Sequence, residues 1–240
     1  MASPVLQFRT WNNAKGLSGK LLFDEALALY RSIEADMMNL SEWRTCKSEK
    51  DNLFDQAMFF GDYCGVLCDS GLYDEAKEKG DIALRFIAQG GFTTSALNYI
   101  YYNIGNIFLF QNDYVQACTW YETALNGEKL FYTSANDYLV NYGTALYFLG
   151  MTDKAKEKFQ LAISASKDTK YNRNFEPFFY MSKICVLQNE EKESKKYKKM
   201  YLTRLKKYSQ RALECAASTM EDKAEILADY KKQENNHPTE

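Results

Sequence analysis

Apolar residues recur at helical spacing through most of the chain. Ile100, Ile104 and Ile107 follow one another at intervals of three and four residues, which places their side chains on one face of an α-helix. Polar clusters that are typical of turns interrupt such stretches, for example at residues 111–113 and 149–152. The pattern predicts an all-α protein made of short helices joined by tight turns.

Three segments of the chain share one spacing of small residues. In each segment a small residue is followed twelve positions later by Ala, and seven positions after that by a second Ala. The three sets are Cys64, Ala76 and Ala83; Gly105, Ala117 and Ala124; and Gly143, Ala155 and Ala162. Small side chains at these places allow two antiparallel helices to approach closely. The spacing therefore predicts a repeated helix pair, and because one pair cannot cover its own apolar face, we expect the pairs to stack.

The repeated pattern resembles that of the tetratricopeptide repeat (TPR) family. The resemblance rests on the small-residue sets, on the aromatic residues Tyr121 and Phe159, and on the runs 72–76 and 113–117. Gly80 departs from it, because it stands where the first repeat should carry an aromatic residue. The resemblance implies a right-handed superhelix of antiparallel helix pairs. The best repeats are 57–88, 98–129 and 136–167, with a degenerate repeat at 175–206, and the whole array covers residues 21–206.

The segments outside the array differ in charge and polarity. Residues 1–20 contain Arg9 and Lys15 but no acid, and Gly16 and Gly19 weaken any helix there. Because no secretory signal is present, we expect an intracellular, cytoplasmic protein. The alternative is a mitochondrial protein, since acid-free basic starts are found in organelle-targeting segments. We predict that residues 207–232 form a C-terminal capping helix, since terminal repeats need a polar outer face. Residues 233–240 are predicted to be a polar tail.

Composition and charge exclude several classes of protein. The chain is 46% hydrophobic, which is enough to build a core. It has no apolar run near the ~20 residues of a membrane-spanning helix. The net charge of −2 gives no general attraction to nucleic acid. The segment 191–211 nevertheless carries nine Lys or Arg against two Glu, and it is interpreted either as a solvated helix face or as a basic patch that binds a partner.

The residues needed for most enzyme chemistry are scarce. The one histidine, His237, lies in the polar tail, and the six cysteines lack the paired spacing of a zinc site. The run 14–21 is similar to a phosphate-binding loop, but Ala14 replaces its first Gly and Leu21 replaces its Ser or Thr. We therefore expect a protein that is not an enzyme, with no catalytic residue, metal or cofactor.

Helical repeats instead offer a concave groove lined by the first helix of each pair. The residues predicted to form a partner-binding groove are Tyr99, Tyr102, Asn103, Asn106, Phe110, Asn141, Phe148, Phe179, Tyr180 and Lys183. Asn103 and Asn141 occupy equivalent positions. The TPR resemblance implies that such asparagines bind the backbone of a peptide ligand, because an amide both donates and accepts. The alternative is that they satisfy local polar contacts.

The sequence predicts an adaptor or structural subunit that binds a segment or helix of a partner protein within a larger complex. Gly61 and Gly65 stand where chaperone-tail-binding TPR proteins would carry clamp residues, so we do not expect a terminal carboxylate to be the ligand. The alternative function is a dedicated chaperone that shields a hydrophobic segment of one client. A peptide-sensing regulator would need a DNA-binding helix-turn-helix, for which the first 20 residues are too short.

Overall fold

A computed structural model of the protein describes residues 4–40, 47–125, 135–165, 175–208, 213 and 220–236. These residues form eleven helices and no strand, so the described part of the chain is all-α, as predicted. The chain divides into two compact units. One comprises Met1–Gln111 and Thr119–Tyr132, and the other comprises Asn112–Cys118 and Thr133–Glu240.

The helices are short and follow one another closely. The first unit contains α1 (Pro4–Ser18), α2 (Phe23–Met38), α3 (Glu49–Asp69), α4 (Tyr73–Gly90) and α5 (Thr94–Phe110). Helix α6 (Tyr114–Leu125) contributes residues to both units. The second unit contains α7 (Ala135–Phe148), α8 (Thr152–Ala165), α9 (Glu176–Leu187), α10 (Glu191–Leu205) and α11 (Met220–Asn236). Helices α1 and α2, α3 and α4, α7 and α8, and α9 and α10 pack as pairs.

Local sequence explains where the longest helix begins. Ser48 precedes α3, and its hydroxyl oxygen accepts a hydrogen bond from the backbone N–H of Asp51 at 3.1 Å. The Asp51 carboxylate in turn accepts from the backbone N–H of Ser48 at 3.3 Å. This capping box satisfies two donors that the first turn of a helix would otherwise leave without partners.

The turn inside each helix pair passes through one residue with positive φ. These residues are Leu21 (φ 59°), Gly71 (φ 77°), Asn112 (φ 62°), Gly150 (φ 72°) and Asn189 (φ 58°). Each lies seven positions after a small residue of the preceding helix, in the order Ala14, Cys64, Gly105, Gly143 and Ser182. Gly and Asn adopt this left-handed conformation at the least cost. The shared register identifies five helix pairs, including one that begins before residue 21.

The first pair differs from the sequence-based expectation. Residues 1–20 were predicted to be a separate segment outside a repeat array that begins at residue 21. Instead, α1 packs against α2, with Ala14 and Ala26 fully buried. Ala26 follows Ala14 by the same twelve positions that mark the other repeats. The seven-residue step then leads to Ile33 instead of Ala, so the spacing alone did not single out this pair.

The C-terminal end also differs from the expectation. A capping helix was predicted over residues 207–232, whereas the structure has α10 ending at Leu205 and α11 spanning Met220–Asn236. Helix α11 therefore extends into the segment that was predicted to be a polar tail. Parts of the predicted capping helix and tail lie outside the described residues, namely 209–212, 214–219 and 237–240.

A small residue against a large one sets the distance between paired helices. A Cβ atom added at Gly105 would lie 2.6 Å from Cε1 of Tyr121, and one at Gly143 would lie 2.8 Å from Cε1 of Phe159. In the α3–α4 pair both positions are small, because Cys64 stands in place of the glycine and Gly80 in place of the aromatic residue. The room beside Gly80 is filled from the next pair, since a Cβ there would lie 3.0 Å from Cγ1 of Ile104.

The contact at Gly105 predicts a clear effect of one added methyl group. We expect Gly105→Ala to lower the free energy of unfolding by about 1–3 kcal/mol, because Tyr121 is buried and must shift. Gly16→Ala is the matched control, since Gly16 lies in α1 with no atom within 4 Å of its added Cβ. That variant should gain about 0.5–1 kcal/mol from helix propensity. Chemical denaturation measures both, and equal effects would contradict the assignment of the contact.

Candidate partner-binding surface

Two glycines on α3 allow α5 to approach closely within the first unit. Gly61 and Gly65 are one helical turn apart, and both face α5. A Cβ added at Gly65 would lie 2.8 Å from Nδ2 of Asn103, and one at Gly61 would collide with Ile100. The amide nitrogen of Asn103 uses this approach to donate a hydrogen bond to the Gly61 carbonyl oxygen at 3.0 Å. The two glycines thus have a packing role that accounts for the absence of larger residues there.

Asn103 is anchored on one side and accessible on the other. Its side chain is half-buried, and the bond to Gly61 uses one of its two amide hydrogens. Within the described residues the other amide hydrogen and the carbonyl oxygen of the side chain have no protein partner. We call the surface formed by Gly65, Tyr102 and Asn103 the Asn103 surface. It presents an oriented amide, and the half-buried ring of Tyr102, which precedes Asn103 on α5, packs on Tyr121 with ring centroids 6.0 Å apart.

Two other predicted site residues on α5 are buried and form hydrogen bonds to neighbouring helices. Tyr99 is buried, and its hydroxyl donates to the carbonyl oxygen of Met58 at 2.9 Å. Asn106 is also buried, and its side-chain oxygen accepts from the hydroxyl of Tyr121 at 2.7 Å. Both residues therefore position α5 against its neighbours, and they present little surface to a partner.

Phe110 and Phe148 occupy equivalent places at the end of the first helix of a pair. In the first unit Phe110 packs on Tyr73, with ring centroids 6.3 Å apart. In the second unit Phe148 stacks on Tyr114, with centroids 4.9 Å apart and an interplanar angle of 15°. Tyr73 and Tyr114 are the first residues of α4 and α6. Each phenylalanine thus contacts the helix of the preceding pair, and only its half-buried edge remains for a partner.

The other predicted residues of the second unit are covered to different extents. Asn141 is 3% exposed, unlike the equivalent Asn103. Phe179 and Tyr180 are fully buried, and Tyr180 stacks on Phe159 at 5.1 Å with an interplanar angle of 6°. Lys183, which is the one cation among the predicted site residues, is half-buried and forms ion pairs with Asp222 and Glu225.

Helix α11 supplies the acids that cover α9. The Tyr180 hydroxyl donates to the Asp222 carboxylate at 3.1 Å. Lys183 makes ion pairs with Asp222 at 3.0 Å and with Glu225 at 2.7 Å. Burial raises the pKa of the Tyr180 phenol well above its usual value, which keeps the hydroxyl protonated as the donor. These contacts could not be predicted from the sequence, because nothing in the spacing of Asp222 and Glu225 relates them to residues about 40 positions earlier.

Asp62 fixes α1 beside the glycines of α3. Its carboxylate accepts from the indole Nε1 of Trp11 at 3.0 Å and pairs with the Lys15 ammonium at 3.0 Å. Burial raises the pKa of the Asp62 carboxyl, and the positive charge of Lys15 opposes that rise without cancelling it. The basic residue Lys15, which was assigned to a separate N-terminal segment, therefore belongs to the packing of the first unit.

The groups available for chemistry are few in the described part of the chain. No cluster of three or more His, Cys, Asp or Glu residues there could hold a metal ion. Cys64 and Cys68 are buried, and burial raises the pKa of both thiols, so neither is a ready nucleophile. None of the described helices combines the length and the apolar character required to cross a membrane. His237 lies outside the described residues.

Comparisons with known proteins identify the fold. The tetratricopeptide repeat family profile matches residues 99–126, which hold the Asn103 surface residues of α5. A comparison with curated protein sequences found no match. Among solved structures, PilW, a widely conserved type IV pilus biogenesis factor, is 15% identical with a TM-score of 0.63, and the match covers 98% of this chain and 94% of PilW.

Two further structures show the same likeness. Nearly identical TPR-like repeats of a kinesin light chain from Podosopora anserina are 12% identical with a TM-score of 0.62, covering 86% of this chain and 98% of that one. YrrB, a TPR protein with an unusual peptide-binding site, is 16% identical with a TM-score of 0.50, covering 81% of this chain and 84% of YrrB. These likenesses confirm the predicted all-α, TPR-like fold.

The buried carboxyl of Asp62 predicts a pH dependence. Because its pKa is raised in the folded state, the folded protein binds this proton more tightly than the unfolded chain does. The stabilisation that comes from this bound proton is therefore present at low pH. It is lost as pH rises from the pKa of the Asp62 carboxyl in the unfolded chain through its higher pKa in the folded protein. Asp62→Asn removes this titration.

We expect the stability of Asp62→Asn relative to the original protein to increase as pH is raised through that window. Melting temperatures of both proteins across acidic to neutral pH measure the difference. A relative stability that falls with rising pH would instead mean that the attraction of Lys15 outweighs the effect of burial.

Proposed function

We propose that this tetratricopeptide-repeat protein is a non-catalytic adaptor or structural subunit that binds a segment of a partner protein at the Asn103 surface. The observation that carries the proposal is the anchored amide of Asn103. Its Nδ2 is held by the Gly61 carbonyl at 3.0 Å, while the rest of the amide faces outward from a half-buried side chain. An amide oriented in this way offers a donor and an acceptor to a peptide unit without a large loss of side-chain freedom.

The neighbours of the amide favour a peptide ligand. Gly65 packs directly against the Asn103 amide and helps to fix its orientation, and the half-buried ring of Tyr102, which precedes Asn103 on α5, leaves part of its apolar surface exposed. Aromatic rings next to a small number of polar groups are common at sites that bind extended or helical segments. Asp62, which follows Gly61 on α3, is paired with Lys15 of α1. We therefore propose a ligand that is recognised by its backbone and by apolar side chains.

The structure also bears on the clamp residues of chaperone-tail-binding TPR proteins. Gly61 and Gly65 both pack against α5. A side chain at position 61 would displace Ile100, and one at position 65 would displace Asn103. A lysine or arginine at these positions would be incompatible with the packing of α5. This supports the proposal that the ligand is an internal segment of a partner and is not held by a terminal carboxylate.

The proposal predicts that Asn103→Ala weakens the binding of the partner by about 2- to 10-fold, the range expected for one neutral hydrogen bond. The partner is first captured by a photo-cross-linking residue placed at Tyr102 and identified by mass spectrometry. The affinity of the purified partner segment is then measured by calorimetry with the original protein and the variant.

Tyr99→Phe is the matched control, because it also removes one intrachain hydrogen bond from α5 but changes a buried group. Both variants should lose similar stability, and only Asn103→Ala should lose affinity. Equal affinities for the two variants would exclude the Asn103 surface as the site. A single captured client that aggregates without this protein would instead support a dedicated chaperone.

A further inference from the structure

The second unit carries a basic groove that the Asn103 surface does not include. It lies along α10 beside α11 and has a volume of about 580 Å³, which is within the range of ligand sites in proteins. Four of its lining residues are lysines. The lining residues are Ser194, Lys195, Lys198, Lys199, Leu202, Thr203, Lys206 and Gln233.

Half of the lysines in this groove form no ion pair within the described residues. Lys195 pairs with Glu191 at 2.6 Å, and Lys198 pairs with Asp229 of α11 at 2.7 Å. Lys199 and Lys206 are exposed, and no described acid forms an ion pair with either of them. The groove therefore keeps a local excess of positive charge in a chain whose net charge is −2.

A polar side chain in the groove lacks the partners that it needs. The side-chain oxygen and nitrogen of Gln233 are both shielded from solvent, and neither has a hydrogen-bond partner within the described residues. A buried amide without partners costs free energy. Gln233 lines the α11 side of the groove, so rotation of its side chain toward a bound ligand would give the amide the donor and acceptor that it lacks.

We propose that this groove binds an acidic segment of a partner protein. Lys195 and Lys206 are eleven residues apart, which corresponds to about 16 Å along a helix. A single phosphate or a similar compact anion cannot contact amines spread over that length. A segment with several carboxylates can, and its backbone can also pair with the Gln233 amide. Leu202 between the lysines provides an apolar contact for the same segment.

The arrangement favours an acidic protein segment over a nucleic acid. Segment 191–211 carries a charge of about +7, but the rest of the chain then carries about −9, which repels a long phosphate backbone. The ring of Tyr201 is buried against Phe179 at 5.2 Å, so it offers no face for base stacking. This surface is separate from the one used in the proposed function, and the two can be tested independently.

The test uses the full chain and a fluorescein-labelled peptide of about ten glutamates, with binding followed by fluorescence anisotropy. We expect binding that weakens as salt is raised from about 50 mM to about 300 mM, as for any charge-dependent contact. The double variant Lys199→Glu with Lys206→Glu should weaken binding by about tenfold or more. The matched control, Lys77→Glu with Lys154→Glu, makes the same change in net charge at exposed positions and should change the affinity less than about threefold.

Two single variants test whether the peptide occupies the groove itself. Gln233→Leu should weaken the peptide several-fold without lowering the melting temperature, because it removes an amide that has no partner. Asn103→Ala should leave the peptide affinity unchanged, so failure here is distinguishable from failure of the proposed function. Equal loss in the two lysine double variants would overturn the proposal, as would absence of binding. Tighter binding of a single-stranded oligonucleotide than of the peptide would also overturn it.

Discussion

The close approach of paired helices is the constraint on which the rest of the structure depends. Each pair places a small residue in its first helix seven positions before a turn residue of positive φ. Where this small residue is Gly105 or Gly143, the facing position carries a buried aromatic ring. Where it is Cys64, the facing position is Gly80, and the space is filled by Ile104 from the next pair. Where two small residues face each other, a side chain from the next pair therefore fills the space, and the interior stays closely packed.

Close helix packing at small residues also determines the geometry of the proposed binding surface. Gly61 and Gly65 bring α5 against α3, and only this approach lets the Asn103 amide reach the Gly61 carbonyl. The equivalent Asn141 is buried, and the corresponding part of α9 is covered by the acids of α11. Equivalent positions in successive repeats therefore have different exposures. The proposed recognition therefore depends on where packing leaves a polar group accessible, and the repeat pattern alone does not determine that.

Much of the fold could be predicted from the sequence because packing of paired helices repeats along the chain. The sets that begin at Cys64, Gly105 and Gly143 predicted three pairs through spacing alone. The pair of α1 and α2 was missed because Ile33 replaces the second alanine and because Gly16 and Gly19 argued against a helix. Packing against α2 and α3, with Trp11 and Lys15 held by Asp62, overrides that weak local propensity.

The candidate binding surface was harder to predict than the fold, because it depends on contacts that do not repeat along the chain. Tyr99 and Asn106 have the helical spacing of groove residues, but their polar atoms bond to Met58 and Tyr121. Tyr180 and Lys183 meet Asp222 from a helix some 40 residues later. Such contacts join residues that have no periodic relation in the sequence. Among the predicted residues of the first unit, Tyr102, Asn103 and Phe110 keep a half-buried side chain.

A double-mutant cycle between Gly105 and Tyr121 tests the packing constraint most directly. The free energy of unfolding is measured for Gly105→Ala, for Tyr121→Val and for the two together. If the small residue is required by the ring of Tyr121, the alanine should cost little once the ring is gone, with a coupling energy of about 1–2 kcal/mol. Additive effects within about 0.5 kcal/mol would show that the two positions are independent and would contradict the account.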